Sequence, residues 1–432
     1  MKYHIWTVGC QMNVADSRKL AAGLDRAGCT HTDAPEDADL VVLNTCAVRE
    51  HAEDRAIGQL GRLKKLRSRG KDFRIAVMGC MVGVRDDDLR RRFPYVDVFA
   101  RPQDFSPIME VAGIDDSGGE FWPTTFGEPN APTAFVPVIH GCDKFCTYCI
   151  VPYRRGREKS RTIADIKNEV EHYCARGVKE ITLLGQTVEA YGHDLEGVPG
   201  SVTSPDLGDL MRAIHDTAGL ERIRFLTSYP KDMTARIIDA VDELPKVCEN
   251  FNIPVQAGDD AVLARMRRGY TLAEYLDKFD LVKARIPDAA MVTDIIVGFC
   301  GETEAEFEHT CALLERLRFD KVHVAAYSPR PGTIAHRTLA DDVPADVKQR
   351  RLQTVEQIET RISTEINQRF LDTTQDVLVE NRREGRWSGR NRLGKLIHFE
   401  GDAEVGQMVR VRIERATAWS LQGTALPATV PA

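Results

Sequence analysis

The chain has 432 residues, which at ~150 residues per domain suggests two or three domains. Its net charge of −7 argues against a simple nucleic-acid coat protein, although a local basic surface is compatible with that charge. No apolar run approaches the ~20 residues that span a bilayer, and the N-terminus becomes polar too soon for a secretory signal. We therefore expect a cytoplasmic protein that does not enter the membrane. In such a protein, clustered members of the eleven cysteines form metal or redox sites.

The first hundred residues alternate between predicted strands and predicted helices. Strands are predicted at residues 3–8, 40–43 and 74–78, and helices at residues 16–27 and 48–69. We expect the first helix to begin at Asp16, because an aspartate is a favourable N-terminal cap. The alternation predicts an α/β domain with a parallel sheet that is covered by helices on both faces.

A cysteine follows the end of each of these three strands. The residues are Cys10, Cys46 and Cys80. Because the carboxyl ends of parallel strands meet at one edge of a sheet, the three thiols could converge there. The alternative is that each is a buried cysteine that serves as a small apolar residue. The repeated placement favours a metal cluster held by three thiolates.

A second cysteine triplet follows a predicted linker at residues 111–133, which is rich in Gly, Pro and acidic residues. Cys142, Cys146 and Cys149 form a CxxxCxxC run. A four-iron cubane binds a thiolate on each iron, so three cysteines would leave one iron open to an outside ligand. A structural zinc site with His140 as the fourth ligand is the main alternative, and a disulfide with a spare thiol is another.

Six short apolar runs with helical segments between them predict a partial (β/α) barrel. The runs cover residues 135–139, 181–184, 223–226, 251–255, 291–297 and 322–326. In such barrels, chemistry lies on the loops that leave the strand ends, and the cysteine loop follows the first strand. Gln186, Ser228 and Gln256 follow later strands. Each is either a turn residue or a hydrogen-bonding contact for a ligand beside that loop.

The C-terminal part predicts one long helix and then a small β-barrel. The helix covers residues 343–370 and carries an apolar stripe. Strands are predicted at residues 375–381, 393–399 and 408–413. Between them, the arginine-rich segment 382–392 with Trp387 suits RNA binding, because arginines position a phosphate backbone and an aromatic ring can stack on a base. We expect residues 424–432 to be disordered.

A second basic run, at residues 154–161, follows the cysteine loop directly. A run of this kind is either a solvated face or, given its position beside the predicted site, a set of phosphate contacts.

Several segments resemble one family. The CxxxCxxC run, with Tyr148 before its last cysteine, resembles the signature of the radical S-adenosylmethionine (SAM) enzymes. Three further segments resemble the N-terminal domain of the methylthiotransferases within that group: residues 9–13 (GCQMN), 44–49 (NTCAVR) and 78–81 (MGCM). Core segments such as 327–333 and the arginine-rich segment, which resembles a TRAM domain, extend the similarity over almost the whole chain.

This resemblance implies three domains and two kinds of cofactor. The domains would be a methylthiotransferase N-terminal domain at 1–115, a radical SAM core at 128–364 and a TRAM-like RNA-binding domain at 367–428. The cofactors would be two [4Fe-4S] clusters and SAM. The cluster that cleaves SAM to a 5′-deoxyadenosyl radical would be held by Cys142, Cys146 and Cys149. The cluster that carries the inserted sulfur would be held by Cys10, Cys46 and Cys80. The expected SAM contacts are Tyr148, Gln186, Ser228 and Gln256.

The residues after Cys10 are most similar to the tRNA-modifying branch that acts on isopentenylated adenosine. The resemblance therefore implies addition of a methylthio group to carbon 2 of N6-isopentenyladenosine, beside the anticodon of tRNA. We expect a monomer that binds the anticodon stem-loop and needs an electron donor and a sulfur source that the sequence does not identify. The alternatives are another tRNA adenosine, a ribosomal protein side chain, or a non-catalytic metal-containing RNA-binding protein. Three residues depart from the pattern of this branch. Thr187 and Glu189 stand where the branch commonly has asparagines, and Cys300 stands at a usual proline position.

Overall fold

The computed structural model describes residues 1–48, 50–84, 86–114, 131–195 and 204–427, and most of the predicted linker lies outside them. The chain divides into two compact units. Unit 1 comprises Met1–Glu128, Ile139–Lys159 and Arg330–Arg337. Unit 2 comprises Pro129–Val138, Ser160–Pro329 and Thr338–Ala432. The CxxxCxxC loop therefore belongs to the same unit as the first hundred residues. In the described part of the chain, no helix is both long enough and apolar enough to cross a membrane.

Unit 1 contains a five-stranded parallel sheet with the order β2-β1-β3-β4-β5. Its strands are β1 (Lys2–Thr7), β2 (Thr30–His31), β3 (Leu40–Thr45), β4 (Arg74–Gly79) and β5 (Val98–Ala100). Its helices are α1 (Gln11–Arg26), α2 (Glu50–Ser68), α3 (Asp87–Arg92), α4 (Ser106–Val111) and α5 (Val151–Arg155), with a 3-10 turn at Pro35–Asp37. The predicted strands and the predicted parallel sheet are confirmed.

Alternate residues of β3 point to opposite faces of this sheet, as the period of a strand requires. Val41 and Leu43 pack in one core with Leu60 and Leu63 of α2. Leu40 and Val42 pack in the other core with Leu20 and Leu24 of α1. The prediction that helices cover both faces is therefore confirmed.

The predicted start of the first helix was wrong. The helix begins at Gln11, with Cys10 in an extended conformation at the N-cap position. Asp16 lies inside the helix and is buried, and it forms an ion pair with Arg155. An aspartate in a helical segment resembles a cap in the sequence, but here its carboxylate binds a distant side chain.

Unit 2 contains a partial barrel of six parallel strands, as predicted. They are β6 (Thr133–Pro137), β9 (Glu180–Leu184), β10 (Arg222–Leu226), β11 (Asn250–Asn252), β12 (Ala290–Val297) and β13 (Lys321–Ala326). They form two three-stranded sheets, β10-β9-β6 and β11-β12-β13. A bridge between Ile223 and Val247, and a hydrogen bond of 2.9 Å from the Cys248 N–H to the Ile223 carbonyl, link β10 to the segment before β11.

Helices follow the strands of this partial barrel. They are α6 (Ile163–Cys174), α7 (Leu207–His215), α8 (Ala235–Glu243), α9 (Asp260–Arg265), α10 (Leu272–Arg285), α11 (Glu304–Leu317) and α13 (Ala345–Gln368), with 3-10 turns at Val188–Ala190 and Pro230–Asp232. Capping boxes fix the starts of α7, α10 and α11, because each cap side chain and the side chain three residues later satisfy each other's backbone N–H. Three short elements, β7 (Ile139–His140), β8 (Lys159–Ser160) and α12 (Ile334–Thr338), lie at or beside unit boundaries.

The C-terminal part of unit 2 is a closed five-stranded barrel with the order β14-β15-β16-β18-β17. Its strands are β14 (Thr374–Arg383), β15 (Arg386–Arg390), β16 (Leu396–Glu400), β17 (Met408–Ala416) and β18 (Leu421–Ala425). The small β-barrel is confirmed, but β15 and β18 were not predicted. The prediction of disorder from residue 424 was wrong for Thr424 and Ala425, which lie in β18, and residues 428–432 lie outside the described residues.

Two buried arginines of β10 bind the backbone of the small barrel. Arg222 donates to the carbonyl oxygens of Arg390 (2.7 Å) and Asp376 (2.8 Å). Arg224 donates to those of Arg392 (2.7 Å) and Asn391 (2.6 Å). These four hydrogen bonds hold the barrel against β10.

Candidate functional site

The three strand-end cysteines converge at one edge of the unit 1 sheet. Register pairs Thr7 with Asn44 and Thr45 with Gly79, so the strands end at the same level. Gly9 packs so closely against the next cysteine loop that an added Cβ would lie 2.7 Å from the Cys46 Cβ. The backbone there has φ +125°, which favours glycine.

The environment of these thiols differs along the edge. Cys46 and Cys80 are buried, whereas Cys10 is exposed. Burial raises the pKa of Cys80 to about 11, Arg155 opposes the rise, and the nearby Cys10 and Cys46 add to it. Three adjacent thiolates repel one another unless a cation shares their charge. Iron supplies that charge, so the donor set fits the iron-sulfur cluster predicted for Cys10, Cys46 and Cys80.

Two asparagines brace this edge, and the sequence analysis did not assign them that role. The Asn13 amide donates to the carbonyl oxygens of Val8 (2.9 Å) and Thr45 (3.0 Å). The Asn44 amide donates to the Asn13 carbonyl oxygen at 2.7 Å. These bonds tie α1 to the ends of two strands, immediately beside Cys10 and Cys46.

The second triplet lies on a tightly turned loop of unit 1. Gly141 has φ +71°, and an added Cβ would lie 2.0 Å from the Arg157 carbonyl oxygen. The Cys142 N–H donates to the Gly156 carbonyl at 3.1 Å, and the Cys149 N–H donates to the Cys146 carbonyl at 3.0 Å. The loop is therefore closed at its start by the backbone that follows α5.

Side chains close the same loop. Asp143 accepts two hydrogen bonds from Arg157, with Nε–Oδ1 2.5 Å and Nη2–Oδ2 3.0 Å. Burial raises the pKa of Cys142 to about 11, the Lys144 backbone N–H lowers it, and nearby Cys146 raises it further. As at the other triplet, neighbouring buried thiols fit a site in which iron carries the balancing charge.

The zinc and disulfide alternatives receive no support. No disulfide links any of the eleven cysteines, all of which are described. Among the described residues, no group of three or more His, Cys, Asp or Glu side chains is placed to hold one metal ion. His140, the candidate fourth zinc ligand, hydrogen-bonds Gln103 through its Nδ1 atom. A cubane places its thiolates on separate irons, so it does not require the close grouping that one ion needs.

The four candidate SAM contacts are divided between the units. Tyr148 lies in unit 1 on the cysteine loop and is half-buried. Gln186, Ser228 and Gln256 lie in unit 2 beyond the carboxyl ends of β9, β10 and β11. Gln256 has φ +75°, and its backbone pairs with β12, with 2.9 Å from its N–H to the Asp294 carbonyl. This places the three unit 2 residues on one end of the partial barrel.

Glu189 is a further functional candidate at this end of the partial barrel. From the sequence it was noted only as a departure from the family pattern. It is 1% exposed and follows β9 in a 3-10 turn. One of its oxygens accepts the Tyr229 N–H at 3.3 Å, while Oε1 has no hydrogen-bond partner. Burial raises the pKa of Glu189 to about 8, although the Ser228 side chain and the Tyr229 N–H lower it in part. The side chain is therefore a neutral acid at neutral pH, able to donate a hydrogen bond.

Three arginines of the basic run after the cysteine loop bind carboxylates of the protein. Arg155 is buried and binds Asp16, and Arg161 is buried and binds Glu169. Arg157 is exposed and binds Asp143. The two buried arginines therefore have a structural role, whereas the phosphate-contact role of the exposed part of the run stays a prediction.

The arginine-rich segment of the small barrel is only partly available to RNA. Arg392 binds Glu249 at 2.5 Å and donates to the carbonyls of Pro245 and Val247, so its guanidinium is already engaged within the protein. Four other arginines of the segment are exposed, and they are Arg382, Arg383, Arg386 and Arg390. The Arg382 guanidinium lies 4.8 Å from the centre of the Trp387 ring. This smaller basic and aromatic patch is compatible with nucleic acid.

Comparison with family models divides the chain into three matched regions. Residues 2–100 match the model described as "Uncharacterized protein family UPF0004", residues 136–314 match "Radical SAM superfamily", and residues 368–426 match "TRAM domain". The two cysteine triplets fall in the first and second regions, and the arginine-rich patch falls in the third.

Curated relatives match nearly the full length. A tRNA-2-methylthio-N(6)-dimethylallyladenosine synthase of Dehalococcoides mccartyi (strain CBDB1) is 44% identical over 97% of both chains. Proteins of the same name from Roseiflexus sp. (strain RS-1) and Chloroflexus aurantiacus are each 44% identical over 98% of this chain and 89% and 91% of their own.

Solved structures of low identity share the fold. The radical SAM methyltransferase TsrM from Kitasatospora setae, solved with cobalamin and a [4Fe-4S] cluster bound, has a TM-score of 0.57 at 13% identity. It covers 90% of this chain and 80% of its own. At this identity the likeness shows the fold alone.

Proposed function

The chain belongs to the family of tRNA-2-methylthio-N(6)-dimethylallyladenosine synthases, and from this membership we infer its reaction. It is a radical SAM methylthiotransferase that adds a methylthio group to carbon 2 of N6-isopentenyladenosine beside the tRNA anticodon. The main support for this function is the 44% sequence identity to the named synthases over nearly the full length of the chain. The fold supports it, because both cysteine triplets lie in one compact unit.

The substrate carbon explains why two cysteine sites are needed. Its C–H bond is strong and not acidic, so a positioned acid or base cannot activate it, and a cofactor must supply the reactive species. With iron-sulfur clusters and SAM bound, the protein gains a radical that removes the hydrogen atom and a sulfur that replaces it. Its own residues have to hold the clusters, orient SAM and the nucleoside, and exclude water.

We assign one cluster to each triplet. Cys142, Cys146 and Cys149 are the proposed ligands of the cluster that binds SAM, supported by the tight loop and the clustered thiols. Cys10, Cys46 and Cys80 are the proposed ligands of the cluster that carries sulfur, supported by their convergence at the sheet edge. The proposed SAM contacts remain Tyr148, Gln186, Ser228 and Gln256, each on a loop where such contacts occur.

The matched regions also support the proposed boundaries and partner. We place a methylthiotransferase domain at 1–115, a radical SAM core at 128–364 and a TRAM-like domain at 367–428, around the matched residues 2–100, 136–314 and 368–426. The tRNA anticodon stem-loop is the proposed partner of the exposed arginine patch. We also propose that the protein is a monomer and acts in the cytoplasm.

Nucleoside analysis tests the substrate. We expect tRNA from cells that carry the gene to contain the 2-methylthio derivative of N6-isopentenyladenosine, and tRNA from deletion cells to contain only the unmodified precursor. Mass spectrometry of ribosomal proteins from the same cells is the control. A methylthio group that disappears from a ribosomal protein while tRNA is unchanged would contradict the proposed substrate.

Cysteine variants test the two-cluster assignment. Anaerobically reconstituted protein should contain about eight irons per chain, because each cubane holds four. Cys10→Ala should retain SAM cleavage to 5′-deoxyadenosine but lose methylthiolation. Cys142→Ala should lose both. Zinc in place of iron, or loss of 5′-deoxyadenosine formation in Cys10→Ala, would argue against the assignment.

A further inference from the structure

One buried arginine links the two cysteine sites of unit 1. Arg155 is the last residue of α5, which begins two residues after Cys149. Its side chain is 1% exposed. The hydrogen bonds of its guanidinium lead away from the cysteine loop. Those bonds go to α1, the helix that begins directly after Cys10.

The acceptors of this arginine brace the other triplet. Its Nη2 atom donates to Asp16 Oδ2 at 2.8 Å and to Asn13 Oδ1 at 2.9 Å. Asn13 in turn holds the backbone beside Cys10 and Cys46, as described above. The guanidinium also lies within electrostatic range of Cys80 and Cys10, and the Asn13 Oδ1 atom that accepts its hydrogen bond lies 3.8 Å from the Cys10 Sγ atom. A residue from one cysteine loop therefore reaches the second site of the unit.

The charge at this position is permanent and its orientation is fixed. An arginine keeps its proton at any physiological pH, and its planar group holds several acceptors in a set geometry. The Asp16 carboxylate is 2% exposed and balances the buried charge, which otherwise would be costly. Cys80 and Cys10 nevertheless lie within electrostatic range of the cation. The sulfurs of a cluster at this edge would therefore lie beside a fixed positive charge.

We propose that Arg155 is a positioning residue that raises the reduction potential of the cluster on Cys10, Cys46 and Cys80. This inference rests on the proposed ligand assignment. Cluster potentials depend on net charge and on hydrogen bonds to the sulfurs. When one electron enters the cluster, its negative charge grows, and a cation beside the ligand sulfurs stabilises that reduced form more than the oxidised one. No bond breaks and no proton moves at Arg155.

Because Arg155 and Asp16 carry opposite charges, their substitutions should shift the potential in opposite directions, which a merely structural contact would not do. The full-length chain with Cys142, Cys146 and Cys149 replaced by alanine retains only the N-terminal cluster, whose midpoint potential is measured by EPR-monitored titration with dithionite. In this background, Arg155→Met should lower the midpoint potential by at least about 59 mV. At the potential where half of the parent clusters are reduced, the ratio of reduced to oxidised clusters in the variant should therefore be at least tenfold lower. Asp16→Asn should shift the midpoint in the opposite direction, because it removes a negative charge.

Two further variants complete the design. Arg155→Lys keeps the charge and should stay nearer to the parent potential than Arg155→Met. Arg157→Met removes an arginine that is exposed and bound to Asp143, so it should leave the potential unchanged. If Arg155→Met fails to load iron, the opposite shift in Asp16→Asn and the retained potential in Arg155→Lys carry the test.

Three outcomes would overturn the inference, and they differ from one another. Loaded Arg155→Met with an unchanged potential would show that the arginine only holds α5 to α1. Shifts of the same sign in Arg155→Met and Asp16→Asn would show general distortion of the site. A parent chain that assembles no cluster would overturn the proposed ligand assignment, and this inference with it.

Discussion

We expect Glu189→Gln to stabilise the protein increasingly as pH rises, and to change its stability little only below about pH 4.5, where the unfolded chain also keeps the proton. Glutamine keeps the shape of the side chain and can still accept the Tyr229 N–H, but it cannot ionise. The side chain is 1% exposed, and the charge of Asp232, in the 3-10 turn after β10, disfavours ionisation further. The substitution therefore removes a charge that the folded protein accommodates poorly.

The sign and size follow from the raised pKa. Glu189 has a pKa of about 8 in the folded protein against an ordinary value of 4.5. Between these values the folded state holds a proton that the unfolded state releases, so stability falls as pH rises, by about 1.4 kcal/mol per pH unit. Over the whole window the loss reaches about 5 kcal/mol, and between about pH 6 and about pH 8.5 it is about 3 kcal/mol.

Thermal unfolding of the anaerobic protein at about pH 6 and about pH 8.5 measures this loss. For 432 residues that unfold as one unit, 1 kcal/mol corresponds to about 1 °C in Tm. The gap between Glu189→Gln and the parent should therefore widen by about 3 °C between the two pH values. Glu308→Gln, at an exposed position of α11, controls for the loss of one acidic residue. An equal gap at both pH values would refute the reasoning, because it would mean that Glu189 folds as an ion.

Three further predictions concern the loop, the interface and the RNA surface. Gly141→Ala would place a Cβ 2.0 Å from a carbonyl oxygen, so iron content should fall from about eight to about four per chain. Gly156→Ala carries the same strain of a positive φ but meets no atom within 4 Å, so it should retain more iron. Arg224→Met removes the closer of the two arginines that pair with the buried Glu180 carboxylate, and it should lower the free energy of unfolding by about 3 kcal/mol and release the small barrel in limited proteolysis. Replacing Arg383 and Arg386 by serine should weaken tRNA binding and reduce its salt dependence by about one unit of slope per lost phosphate contact, measured by filter binding, without affecting SAM cleavage. Unchanged iron, unchanged protease resistance or unchanged salt dependence would contradict these predictions in turn.

The fold followed from local patterns because each pattern has a single geometric consequence. Alternating strands and helices in the first hundred residues predict a parallel sheet, and a parallel sheet brings the ends of its strands together. The convergence of Cys10, Cys46 and Cys80 was predictable for this reason alone. The six strands of the partial barrel were found in the same way, from apolar runs at regular intervals.

The pairings of charged side chains could not be read from the sequence. Asp16 and Arg155 are 139 residues apart, and each has a plausible local role, as a helix cap and as part of a basic run. Arg392 lies in a segment that suits RNA but binds Glu249 instead. For both ion pairs a distant partner, absent from the local pattern, decides the outcome. The strand β15 was missed for another reason, because its arginines and Gly389 weaken the strand pattern although Gly389 allows close packing on β14.

The way in which Arg222 and Arg224 hold the small barrel has an evolutionary consequence. All four of their hydrogen bonds to the barrel end on carbonyl oxygens, which every type of amino acid possesses. Substitutions at residues 376, 390, 391 and 392 therefore leave these acceptors in place. The side chains on the nucleic-acid-binding surface can therefore differ from one relative to the next while the barrel stays bound to β10.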